Sequence, residues 1–152
     1  MPPPNSVEAK PKFFSVEEAN KALPLVKAIV GDIVRQFQVV NELRHRLSSV
    51  QKDRRRPPAN DPYAEETAQS RAELDSEESK LATYIEELNK LGVELKGPDG
   101  LCDFPSLRDG REVCLCWRFG EPAVTHWHEK NAGFAGRQPL DRPSPRPNPR
   151  PI

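Results

Sequence analysis

The stretch Leu81-Ala82-Thr83-Tyr84-Ile85-Glu86-Glu87-Leu88-Asn89-Lys90-Leu91-Gly92-Val93-Glu94-Leu95-Lys96 changes period partway along, and that change decides the fold. Up to Leu91 the apolar residues fall at Leu81, Tyr84, Ile85, Leu88 and Leu91, one face of a helix. Gly92 is the residue a helix uses just past its end, where the backbone turns left-handed. From Val93 apolar and polar residues alternate, as in a strand with one buried face. A helical half gives way to a β half at one glycine.

Working backwards, Ser15 and Glu18 have the spacing of a capping box, with Phe14 as the apolar residue before the cap. The helix they open carries Val26, Val30, Ile33, Phe37, Val40 and Leu47, the seam of a two-helix packing interrupted by Arg44. Pro24 removes one backbone donor and crowds the carbonyl of Asn20, which predicts a kink or break near Leu23. Pro57-Pro58 end the helix within 51–60, and Asp61-Pro62 restart one as cap and first helical residue. Arms over 15–50 and 62–91 span roughly 54 and 45 Å and form an antiparallel hairpin. Apolar residues off the seam, Val16, Leu25, Ile29, Val34, Val39 and Leu43, widen its adhesive surface. Charge supports the pairing: residues 35–56 hold seven basic and two acidic side chains, residues 61–91 nine acidic and three basic. Such pairs select partner and direction more than they stabilise.

Forward of Gly92, short strands are expected at 93–96, 101–104, 112–117 and 124–128, separated by turn residues at 97–100, 108–110 and 119–122. Residues 129–140 read as an irregular closing loop. The fold class is α+β: a long antiparallel two-helix hairpin, then a small antiparallel β-meander of three or four strands, with disordered proline-rich termini. The divisions are a leader over 1–12, the hairpin over 13–92, the meander and closing loop over 93–140, and a proline/arginine-rich tail over 141–152.

Of the 17 prolines in 152 residues, four lie in 1–12 and six in 139–152, so the termini hold little to bury. Lysine plus arginine equal aspartate plus glutamate at 23 each, which gives no global field for nucleic acid or membrane surfaces. No apolar run is long enough for a spanning helix, and the N-terminal residues lack the layout of a secretory signal. Three cysteines cannot all pair within the chain, so the expected compartment is a reducing cytoplasm. No motif calls for a cofactor.

Three sites carry possible chemistry. Cys114-x-Cys116 opposite His126-x-His128 places two ligand pairs on single strand faces and could hold a metal, if the register brings those faces together. With Trp117 opposite Ala123, Cys114 meets His126 and the faces coincide; a slip of one residue separates them. C-x-C is not the usual knuckle spacing, and cysteines commonly serve as small buried hydrophobes. The second site is Trp117, Glu121, His128 and Arg137, which could form a small-anion pocket with His128 or Glu121 as acid–base group and Arg137 as the fork. There, core packing of Trp117 and Trp127 and a Glu121–Arg137 tie of the closing loop are the plainer reading. The third is Lys52 to Arg56, which reads as a solvated turn rather than a nucleic-acid patch.

Phe14-Ser15-Val16-Glu17-Glu18-Ala19-Asn20 with Leu23-Pro24 resembles the opening of the uncharacterised bacterial family called domain of unknown function 2203. Gly92 to Lys96, Asp103-Phe104-Pro105, Arg108 to Val113, Cys116-Trp117-Arg118 with Gly120-Glu121, Trp127-His128-Glu129, and Gly133-Phe134 with Gly136-Arg137 resemble its second half. The resemblance implies a bacterial, cytoplasmic protein and no particular activity; Trp117, Glu121, His128, Gly136 and Arg137 are the positions its motif nominates. The expectation is a non-enzymatic interaction or scaffolding module that meets a protein partner, or itself, through the hairpin, without nucleic acid or membrane. An anion-binding protein or enzyme, and a metal-binding protein, are the alternatives.

Overall fold

The computed structural model describes residues 12–53 and 62–140, the side chains of 51–53 excepted. The proline-rich leader up to residue 11, the arginine-rich tip at 54–61 with Asp61, and the proline/arginine-rich tail from 141 lie outside the described residues. The expected disorder of the termini falls there too.

Helix α1 spans Val16–Asp53 and α2 spans Ala64–Lys90. The capping box forms: the Ser15 amide donates to Glu18 Oε1 and the Glu18 amide to Ser15 Oγ, both at 3.0 Å. Before it, Phe14 is buried edge-on against Phe104, with ring centroids 5.2 Å apart. Of the kink or break expected near Leu23, no break occurs: α1 runs through Pro24. Leu23 and Val26 on either side are buried, and their packing offsets the roughly 3 kcal/mol that a proline costs inside a helix. Helix α2 begins two residues later than Pro62, which with Tyr63 forms a turn. It ends as its glycine requires. Gly92 has φ +92°, and the amides of Gly92 and Val93 return to the carbonyls of Asn89 and Leu88.

The arms pack through Val26, Val30, Ile33 and Val40 on α1 and Leu74, Leu81 and Leu88, at heptad spacing, on α2. One detail of the seam differs from expectation. Leu43, placed off the seam above, continues it between Val40 and Leu47, while Phe37 is only partly buried. Arg44 turns outward and donates from Nε and Nη2 to Glu78 Oε2 at 3.1 and 2.7 Å, so the opposed charges do meet across the arms. Gln36 is buried and donates to the Glu77 carbonyl and carboxylate at 3.0 and 2.6 Å.

Among the described residues the sheet has five antiparallel strands in chain order: β1 Glu94–Leu95, β2 Leu101–Arg108, β3 Arg111–Arg118, β4 His126–Glu129 and β5 Gln138–Pro139. It is larger than the three or four strands expected. Strand β2 continues through Pro105, whose carbonyl accepts from the Phe14 amide at 2.7 Å. Strand β5 lies within the supposed irregular loop and pairs His126 with Pro139 and Trp127 with Gln138. Asp109 and Gly110, at φ 55° and 76°, make the tight β2–β3 turn.

The two faces of the sheet differ. Cys102, Phe104, Val113, Leu115, Trp117 and Trp127 join the apolar core shared with the helices. The alternate residues, Asp103, Cys114, Cys116 and His128, therefore lie on the face turned away from that core.

Candidate metal centre

Register sets the site. Cys114 stands opposite His128 and Cys116 opposite His126. This differs by two residues from the register in which Trp117 faces Ala123, and an even shift keeps every side chain on its face. Cysteines and histidines thus share the outer face, where strand β2 adds Asp103 as the cross-strand partner of Cys116.

Asp103, Cys114 and His128 converge, with one ligand atom from each lying within 4.8 Å of the others, and all three are buried. His128 is held at both nitrogens: Nδ1 lies 2.7 Å from the Glu129 carbonyl oxygen and Nε2 lies 2.9 Å from Asp103 Oδ1. A carbonyl oxygen only accepts, so Nδ1 carries a hydrogen. Without a second proton, that tautomer would turn the lone pair of Nε2 toward a carboxylate. The contact is attractive only with a positive centre between them, a proton or a metal ion. A histidine whose second nitrogen donates to a backbone carbonyl is also the usual arrangement of a metal ligand, because that bond fixes ring and tautomer.

The thiols are quiet without such an ion. Burial pushes Cys102 and Cys114 up to about 12, and the Asp103 carboxylate adds to both rises. Burial also raises Cys116, against the pull of the Arg137 guanidinium. None is a ready nucleophile, since the reactive form is the thiolate. Cys102 lies on the other face and donates weakly to the Gly100 carbonyl.

Of the four metal candidates named from the sequence, Cys114 and His128 are in the cluster and Cys116 and His126 are outside it. His126 has Nδ1 2.9 Å from Thr125 Oγ1 and is half-buried. Asp103 is the residue that sequence reading missed. Its signal was an acidic side chain inside an otherwise apolar strand, Leu101-Cys102-Asp103-Phe104, since a buried carboxylate needs a partner.

Of the anion-pocket candidates, Trp117, Glu121 and Arg137 are linked to one another and His128 is not. Arg137 Nη2 donates to Glu121 Oε1 at 2.6 Å and to the Cys116 carbonyl at 3.3 Å, and the Arg118 amide also donates to Glu121. Burial opposes ionisation of Glu121, but these bonds outweigh it and hold the carboxyl below its ordinary value. Arg118 and Arg137 both stack on Phe134, at 4.4 and 4.7 Å from its centroid. Trp117 is fully buried on the core face and donates Nε1–H to the Glu121 carbonyl. His128 turns to Asp103 instead. Glu121 and Arg137 pair and fasten the 3-10 turn at Phe134–Gly136 to the sheet.

A helical hairpin set on an antiparallel meander, with a buried Asp–Cys–His cluster on the free sheet face, describes the class of molecule. Residues 12–140 match the family described as an uncharacterized conserved protein, DUF2203, and the chain belongs to that family. No curated protein and no solved structure matches it. No helix among the described residues is long and apolar enough to cross a membrane.

Proposed function

We propose that this is a metal-binding protein whose ion is held by the Asp103 carboxylate, the Cys114 thiolate and His128 Nε2. The observation that carries the reading is His128 Nε2 at 2.9 Å from Asp103 Oδ1, with Cys114 at the third corner of the cluster. A carboxylate and a thiolate together cancel a divalent charge, so loading these three groups buries no net charge. Mixed nitrogen, oxygen and sulfur donors suit zinc and its neighbours rather than magnesium or calcium. The ligands come from β2, β3 and β4, so one ion ties three strands together. Three unpaired, buried cysteines fit a reducing compartment such as the cytoplasm.

Removal of metal with a chelator followed by titration with Co²⁺ tests this. One equivalent should bind with thiolate-to-cobalt absorption; Cys114→Ser should lose the share of it that its sulfur supplies, and His128→Ala should weaken binding. A full chain that takes up no cobalt and holds no stoichiometric zinc by elemental analysis would overturn it.

One observation favours a second reading, self-association through the hairpin. Leu25 and Val39 stand fourteen residues apart along α1, two heptads, and are 54% and 39% exposed. Sedimentation tests it, and a monomer at high micromolar concentration would remove it.

A further inference from the structure

Three protein ligands leave a tetrahedral ion one position short, and sites that serve structure rather than catalysis are closed by a fourth. This inference rests on the metal site at Asp103, Cys114 and His128. The neighbours on the outer face narrow the choice. Pro105, between Asp103 and Leu107 on β2, has no donor atom. Glu94, the cross-strand partner of Asp103, is exposed and paired with Lys96 at 3.2 Å. His126 is only half-buried, unlike the three ligands, and its Nδ1 lies against Thr125.

Cys116 remains. It is fully buried, two residues from Cys114 on the same face of β3, and its backbone stands directly opposite Asp103. As placed, its sulfur does not share the 4.8 Å spacing of the other three ligand atoms. Ligation by Cys116 therefore requires its side chain to change rotamer about the first side-chain bond. A second observation concerns the group beside it. Arg137 Nε is buried without an acceptor, although Nη2 of the same side chain reaches Glu121 and the Cys116 carbonyl. A second thiolate leaves the loaded site with one negative charge, and a half-buried guanidinium with an unused donor suits a negative neighbour.

We propose that Cys116 is the fourth ligand, that the loaded site is a two-cysteine, one-histidine, one-aspartate centre for a zinc-class ion, and that Arg137 couples it to the closing loop. The second sulfur is what sets the ion class, because it biases the site toward thiophilic divalent metals and away from oxygen-seeking ones.

The test uses the full chain and Co²⁺ alone. Thiolate-to-cobalt absorption should fall by about half in Cys116→Ser and again in Cys114→Ser, and stay unchanged in Cys102→Ser. Affinity in Cys116→Ser should drop by more than about tenfold, in the range that even supporting residues around a metal command. X-ray absorption at the zinc edge of the unsubstituted protein should show two sulfur neighbours at about 2.3 Å, a readout that does not depend on how a variant folds. One sulfur neighbour, or wild-type absorption in Cys116→Ser, would overturn the assignment of Cys116 and leave the three-ligand site standing. No cobalt uptake by the unsubstituted chain would overturn both.

Discussion

His128 shows how one side chain can constrain the chemistry around it. Its Nδ1 hydrogen is committed to the Glu129 carbonyl, so Nε2 is the nitrogen available to an ion. Glu121 does the opposite work, since both its partners are donors. Its carboxyl titrates below the ordinary 4.5 in the folded chain. Its stabilising contribution is therefore complete above about pH 4.5 and is lost as pH falls through the lowered folded value. Glu121→Gln should cost about 1–2 kcal/mol at pH 7, and the gap from the parent should narrow in denaturant melts run toward pH 3. A gap that persists undiminished in acid would show that the carboxylate is not the source. Gly100 and Gly92 give a steric test. Both have φ +92°, but a Cβ at Gly100 would lie 2.5 Å from Phe119 Cβ, whereas at Gly92 its nearest neighbours are at 3.4 Å. Gly92→Ala should cost about 1–2 kcal/mol from backbone conformation, and Gly100→Ala distinctly more; equal losses would contradict the tight approach. At this scale the sequence disclosed what is local. The capping box needed only Ser15 and Glu18 three residues apart, and the helix stop needed only Gly92. Asp103 escaped because its partners lie 11 and 25 positions along the chain.

Between elements, legibility depended on period. The helices were readable because their apolar residues recur over many turns, and the heptad of Leu74, Leu81 and Leu88 survives packing unchanged. Arg44 marked where a counted pattern drifts. After several turns the packed stripe moved to Leu43, as expected when a straight 3.6-residue helix is followed along a 3.5-residue seam. Ile33 is fully buried and Leu81 nearly so. Ile33→Asp or Leu81→Asp would each place an unpaired charge in the seam and should cost several kcal/mol, enough to abolish folding of a marginally stable domain. Circular dichroism showing a parental melt for either variant would contradict the seam. Strand register was not legible, because the connection from Arg118 to His126 holds seven residues and its geometry is set by Asn20 on α1. The Asn20 side chain accepts from the Val124 amide at 2.7 Å and donates to the Val124 carbonyl at 3.2 Å. Nor was β5 visible, since two residues containing a proline carry no strand pattern.

Across the whole molecule, the hairpin covers one face of the sheet and leaves the other to polar chemistry. The core face is closed by apolar packing that Asp103, Cys114 and His128 do not join. Binding an ion to the folded chain alone would stabilise it by mass action, by about 2.7 kcal/mol at a free concentration one hundredfold above Kd. Melting should rise with added Zn²⁺ in the parent and stay flat in His128→Ala; parallel curves would separate the ion from the fold. The most direct measurement is diffraction from crystals of the full chain grown with zinc, recorded above and below the zinc absorption edge. One anomalous peak is expected on the outer sheet face, about 2.0–2.3 Å from Asp103, Cys114 and His128 Nε2. Ordered side chains at those three positions with no peak between them would contradict it.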